Sequence, residues 1–124
     1  MDLIIGGAYQ GKLDFAKSTF DLSESDIFTC TGGEIDFSRR CIDHIEEFTL
    51  WCVQSGVDAV EFFRSCRKRW RDSILICEDI SAGVVPMGAD MRAWRQMNGL
   101  LCRYLSGEAA QVSRLFCGLE ERLK

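Results

Sequence analysis

Asp2-Leu3-Ile4-Ile5-Gly6-Gly7-Ala8-Tyr9-Gln10-Gly11-Lys12-Leu13 is the stretch on which the fold turns. Leu3 to Ile5 is a short apolar run stopped by two glycines, as a buried strand feeding a tight turn would be. From Lys12 to Phe20 the apolar residues Phe15, Ala16 and Phe20 suit a short helix. Gly6 to Lys12 meets the G-x-x-x-x-G-K spacing of a P-loop, and meets it between a strand and a helix, where that spacing has a mechanical meaning. Glycines let backbone N–H groups wrap a phosphate, the helix N-terminus adds partial positive charge, and the Lys12 side chain reaches the outer phosphates. Position 13 departs from the pattern: a Ser or Thr hydroxyl there would ligate Mg²⁺, and Leu13 cannot. An ordinary glycine turn ahead of a helix reads the same way on spacing alone.

Outward from this unit, Asp26 to Thr31 has β-branched and aromatic character and stops at Gly32-Gly33, which predicts a second strand and a loop. Ile42, Ile45, Phe48 and Cys52 recur at helical spacing up to Gly56, predicting a helix that contains His44. Asp58 with Glu61 resembles a cap, and Val60, Phe63 and Trp70 extend a further helical stripe. Ile74-Leu75-Ile76 is too short for a helix and does not alternate, as in a parallel strand covered on both faces. Met91, Trp94, Met97, Leu101 and Leu105 trace a last helix with Gly107 as its stop, and Val112 to Cys117 with Leu119 to Leu123 predict a terminal hairpin around Gly118. Strands alternating with helices predict an α/β fold, a three-layer P-loop-type open and mainly parallel sheet with helices on both faces, in a single domain over residues 1–124.

Composition bounds the function classes. With 124 residues, 47% hydrophobic and 27% charged, the chain has the makings of one core. A formal charge of −4 argues against sequence-independent nucleic-acid binding, which needs surplus Lys and Arg to displace counterions. No basic leader precedes the first apolar run and no stretch approaches the ~20 apolar residues of a membrane span, so a cytoplasmic protein without membrane contact is expected. Seven cysteines without a Cys-x-x-Cys pair are expected to be mostly buried thiols, not a disulfide framework.

Several side chains could carry chemistry. Glu78 and Asp79 follow the apolar strand, and ligands of open α/β sheets sit at such strand ends, where a carboxylate can hold a metal-bound water or a substrate hydroxyl. Arg92 and Arg95 share a helix with Trp94 within possible reach of that edge, and Arg is suited to clamping phosphate. His44, the only histidine, could be a nucleophile, an acid or base, or a partly buried helix residue. Cys41-x-x-His44 would put two metal ligands on one helical face, without a second pair to complete a zinc site. The basic run from Arg64 to Arg71 suits the end of a helix.

Taken together these residues resemble the adenosylcobinamide kinase/adenosylcobinamide-phosphate guanylyltransferase family, of which this chain would be a shortened, divergent member. The family's Gly-Gly-Ala-x-x-Gly-Lys-Ser loop is similar to Gly6 to Leu13. Its Asn-Glu-Val-Gly-x-Gly-Ile-Val-Pro block is similar to Glu78-Asp79-Ile80-Ser81-Ala82-Gly83-Val84-Val85-Pro86, and its Arg-x-Phe-Arg-Asp helix to Arg92-Ala93-Trp94-Arg95-Gln96 followed by Gly99. The guanylylated histidine of its Arg-Ile-x-His segment corresponds to His44 in Cys41-Ile42-Asp43-His44, where the arginine is replaced by cysteine. The resemblance implies an NTP-dependent kinase of cobalamin biosynthesis that phosphorylates adenosylcobinamide, with ATP or GTP held by residues 6–13. It also implies Mg²⁺ near Glu78 and Asp79, substrate phosphate on Arg92 or Arg95, catalytic roles for Lys12, Asp79 and His44, and self-association into a homo-oligomer. Leu13 and the short middle of the chain leave a non-catalytic nucleotide-binding or regulatory paralogue as the alternative.

Overall fold

The chain is described by a computed structural model over residues 1–80 and 88–124. Strand β1 (Asp2–Gly6) is flanked in parallel by β4 (Ile74–Glu78) on one side and β5 (Gln111–Phe116) on the other. Beyond β4 lie β3 (Cys41–Asp43) and β2 (Ile27–Thr29), both parallel, and beyond β5 the antiparallel β6 (Leu119–Arg122) closes the order β2-β3-β4-β1-β5-β6. The expected α/β class, mainly parallel sheet and terminal hairpin are what the chain adopts. Helices α1 (Lys12–Phe20), α2 (Ile45–Ser55), α3 (Ala59–Ser65), α4 (Arg67–Trp70) and α5 (Ala89–Glu108) connect the strands.

Local chemistry explains most boundaries. The helix α2 stops at Gly56, whose left-handed φ of 70° lets its N–H reach Cys52 O. As expected, Asp58 caps α3, its Oδ1 accepting from Val60 and Glu61 N–H at 3.0 and 3.2 Å. The hairpin turns on Cys117 and Gly118, with φ of 52° and 76°.

Five expectations are corrected. The helical pattern beginning at Ile42 is in fact strand β3 up to Asp43 and helix only from Ile45, because both faces of this strand are buried and its apolar residues mimic helical spacing. His44 is therefore not a helix residue but the junction between them, with a left-handed backbone at φ 57°. The stripe from Asp58 to Trp70 breaks at Cys66 into two helices, which turns Trp70 back so that its Nε1 donates to Phe63 O at 2.8 Å. Gly107 lies inside α5, which ends at Glu108, and β2 is only three residues long, preceded by a 3-10 turn over Glu24–Asp26.

Successive strand residues point to opposite faces, and the buried residues divide accordingly. Leu3, Ile42, Leu75 and Cys77 join a cluster with Phe48, Phe63, Trp70 and Leu101. Ile4, Cys41, Ile74, Ile76 and Leu115 join a second cluster with Ala16 of α1. Each fully buried large side chain here contributes about 1.5–3 kcal/mol. Among the cysteines, four are buried, Cys66 and Cys102 are half-buried and Cys117 is exposed, all as free thiols. No described helix is long and apolar enough to cross a membrane.

Candidate functional site

The loop between β1 and α1 is fixed at both ends by backbone that only small residues allow. A side chain on Gly6 would place Cβ 2.7 Å from Leu115 O on the neighbouring strand. Gly11, the residue before α1, has φ 89° and no side chain caps the helix, so its first-turn N–H groups are left for another acceptor. Between them Tyr9 is fully exposed with φ 60°. The hairpin braces the loop from behind: Gln10 O accepts from Gly118 N–H at 3.1 Å, and Gln10 Oε1 from Cys117 N–H at 2.5 Å. Lys12 folds over the loop, its Nζ donating to Gly7 O at 2.7 Å.

This loop forms one wall of a hollow of about 580 Å³, lined by residues 8–14 together with Asp43, His44 and Glu78. The opposite wall comes from strand parity. Asp43 follows Cys41, and Glu78 follows Ile74 and Ile76, so both acids end their strands on the side that carries the loop and α1.

Behind His44 stands a carboxylate that spacing alone does not single out. Glu46 is 3% exposed, in the first turn of α2. Its Oε1 accepts from Glu78 N–H at 2.9 Å and its Oε2 lies 2.7 Å from His44 Nδ1. His44 N–H donates to Asp43 Oδ1 at 2.8 Å, and Asp43 Oδ2 lies 3.7 Å from His44 Nε2. Burial alone would lower the imidazole's pKa, but the bond to Glu46 and the charges of Asp43, Glu46 and Glu78 outweigh it and raise it. Burial pushes the carboxyl of Asp43 up against the relieving effect of His44, and that of Glu78 up with help from the Glu46 charge and against Lys12.

The acidic cluster is tied to α5. Trp94 Nε1 donates to Glu46 O at 2.8 Å, Thr49 Oγ1 donates to Asn98 Oδ1 at 2.9 Å, and Asn98 Nδ2 donates to Glu78 O at 3.1 Å. The polar wall of the hollow is thus set by β3, β4, α2 and α5 together.

Neither a protein-family model nor a curated protein matches this chain. What the site can do rests on its own geometry.

Of the residues singled out from sequence, the structure gathers Ala8 to Leu13, His44 and Glu78 around one hollow, with Gly6 and Gly7 leading into it. It does not bring Asp79 there: one residue past Glu78, Asp79 takes the other face and lines a separate hollow with Ile5, Arg95, Asn98 and Cys102. Its backbone N–H donates to Gly6 O at 2.8 Å. Arg92 is exposed on the first turns of α5. The part of the Glu78 to Pro86 block from Ser81 onward lies outside the described residues. Cys41 does not pair with His44 as a ligand: it is buried in β3, and burial, with the Asp43 charge, pushes its thiol up to about 12. Among the described residues no group of three or more His, Cys, Asp or Glu side chains is placed to hold a metal ion. What sequence reasoning missed is the bonding of Glu46 to both His44 and Glu78, and the Thr49 and Asn98 side chains that tie this group to α5.

Proposed function

We propose that the hollow between the 6–13 loop and the Asp43, His44 and Glu78 wall binds the phosphates of ATP or GTP. The chain on this reading is a single P-loop-type domain with three layers, helices covering both faces of the sheet. The single observation that carries it is the uncapped N-terminus of α1 behind a glycine-shaped loop, with Lys12 lying across that loop at the open end of parallel strands. The two separate buried clusters, one on α1 and one on α2, α3 and α5, support the layering.

With the family resemblance added, the activity is NTP-dependent phosphorylation of adenosylcobinamide in cobalamin biosynthesis, by copies of the chain that self-associate. Lys12 leaves Gly7 O and takes the outer phosphates, and the first turn of α1 takes those nearer the nucleoside. The chain's own groups fit Mg²⁺ in part. Glu78 reaches the hollow and would hold the ion, Asp79 faces away, and Leu13 offers no oxygen, so most of its ligands would come from triphosphate and water, as Mg²⁺ prefers. The ion would neutralise charge on the transferring phosphoryl group. Leu13 favours the second reading, a nucleotide-binding paralogue without turnover, because the residue lining the hollow at that point is apolar.

Calorimetry with ATP and GTP, with and without Mg²⁺, tests the first claim. Lys12→Ala removes one charge-assisted contact and should weaken binding about 10- to 100-fold, from the ~1.5–3 kcal/mol of such a bond. The fold should survive, since the lost bond to Gly7 O is only partly buried. Unchanged affinity would remove the P-loop reading. Turnover with adenosylcobinamide separates kinase from paralogue, and Leu13→Ser should raise Mg²⁺-dependent affinity or turnover by supplying an inner-sphere oxygen.

A further inference from the structure

We propose that His44 and Glu46 form a base and its positioning residue, with Glu46 holding the imidazole so that Nε2 takes the proton of the attacking hydroxyl; the idea rests on the nucleotide reading above. Three observations bear on it. The His44 backbone is left-handed at φ 57°, uncommon for an L residue and shared here by Tyr9 of the loop, Asp21 and Cys117, and in His44 it aims the ring from the β3–α2 junction into the hollow. The residue is held at both ends: the main chain is tied to Asp43 Oδ1 and the ring to Glu46 Oε2. Glu46 is a buried carboxylate, costly unless both its oxygens are satisfied, and here each faces a donor, Glu78 N–H on one side and the imidazole on the other.

The tautomer follows from that arrangement. A carboxylate only accepts, so in the neutral imidazole Nδ1 carries the proton and Nε2 keeps its lone pair, while Asp43 Oδ2, 3.7 Å from Nε2, favours the protonated ring and moves the working form to higher pH. The ring is half-exposed and lines the same hollow as Lys12. Charged groups of the described residues around it are Asp43 from β3, Glu46 and Glu47 from α2, Glu78 from β4, and Lys12 and Asp14 from α1. In the reaction the acceptor's hydroxyl oxygen bonds to the γ-phosphorus, and the bond from that phosphorus to the β,γ-bridging oxygen breaks with its electrons leaving on the nucleoside diphosphate. The hydroxyl proton passes to Nε2, and the imidazolium so formed is balanced by Glu46 and Asp43. A base of this kind is worth about 10²–10⁴-fold in rate.

Glu46→Gln gives the sharpest test. An amide has one acceptor oxygen for two donors; if that oxygen stays with Glu78 N–H, its NH₂ faces Nδ1 and forces the imidazole proton to Nε2. Because His44 is the only histidine, its ¹⁵N shifts can be read without ambiguity. At a pH high enough that the parent's ring is neutral by its own ¹⁵N titration, the proton should be on Nδ1, and Glu46→Gln should move it to Nε2 while kcat falls about 10²–10⁴-fold and the nucleotide Kd stays unchanged. His44→Asn should lower kcat by the same factor. Titration with a non-hydrolysable ATP or GTP analogue should shift the His44 resonances. A proton on Nε2 in the parent's neutral ring overturns the proposal whether or not the variant folds. If calorimetry shows nucleotide binding and the His44 signals do not move, the base role fails and the nucleotide reading stands. If neither nucleotide binds, both fall.

Discussion

Asn98→Asp changes one atom of the network behind the hollow and should unfold the protein measurably more easily. Asn98 is 2% exposed, its Nδ2 donating to Glu78 O at 3.1 Å while its Oδ1 accepts from Thr49 Oγ1 at 2.9 Å and Cys77 Sγ at 3.3 Å. The substitution keeps the shape and both acceptor contacts and replaces only the donor. Glu78 O then loses its nitrogen donor and keeps only the weak Cys77 Sγ contact at 3.7 Å, a cost of about 1–3 kcal/mol for a part-buried carbonyl. The new carboxylate also sits within the field of Glu46, whose charge already bears on the adjoining Cys77. Together these amount to about 3–5 kcal/mol near neutral pH, the range for a buried charge left poorly compensated. With a urea slope of about 1–3 kcal/mol per molar, the midpoint should fall by about 1 M or more. The sign of the pH dependence is fixed by which form the fold prefers. Burial and the facing carbonyl raise the folded pKa above the unfolded ~3.9, and the protonated acid can donate to Glu78 O again. The deficit is therefore small near pH 4 and grows as pH rises through the folded value. Urea unfolding followed by tryptophan fluorescence at about pH 5 and about pH 8 reads both effects. A midpoint equal to the parent's at the higher pH, or a deficit that does not shrink at the lower one, would refute the reasoning.

Asp43 has its carboxyl raised by burial, so its ionised form is disfavoured by the fold, and that stability is lost as pH climbs through the folded value. Asp43→Asn, which keeps an oxygen for His44 N–H, should raise Tm at about pH 7.5 and converge with the parent near about pH 4; thermal scans at both check it. Incubation with GTP and Mg²⁺ should leave no acid-labile GMP adduct, since a nucleophile must touch the α-phosphorus and His44 is ringed by Asp43, Glu46 and Glu78. Intact mass spectrometry decides this: a GMP-sized increment absent from His44→Ala would overturn it.

How much was legible depended on whether neighbouring pairings were needed. The β1, loop and α1 unit could be read because its apolar run, glycines and helix lie in one stretch, and α1 spans the expected Lys12–Phe20. Strand β3 could not, since Cys41 to Asp43 is too short to show a period of two and Ile42 falls at the i−3 position of a helical stripe with Ile45 and Phe48. That misreading hid the junction at His44 and the first-turn position of Glu46, whose partner Glu78 is 32 residues away. The choice between Glu78 and Asp79 was open because it turns on strand parity, which only the pairing of Gly6 with Glu78 fixes. The acids around His44 come from three elements, Asp43 from β3, Glu78 from β4 and Glu46 from α2, which no single stretch of sequence displays.

The position of β1 has a consequence for how the protein is made. Strand β1, which leads into the 6–13 loop, is synthesised well before both its neighbours, β4 and β5, and before the hairpin that clasps Gln10. Until then Leu3 to Ile5 is an apolar segment with two bare edges, the kind that seeks other strands. Pairings between distant parts of the chain also slow folding. This part of the site is made before the strands that complete it, so folding yield depends on whatever shields Leu3 to Ile5 until β4 and β5 follow.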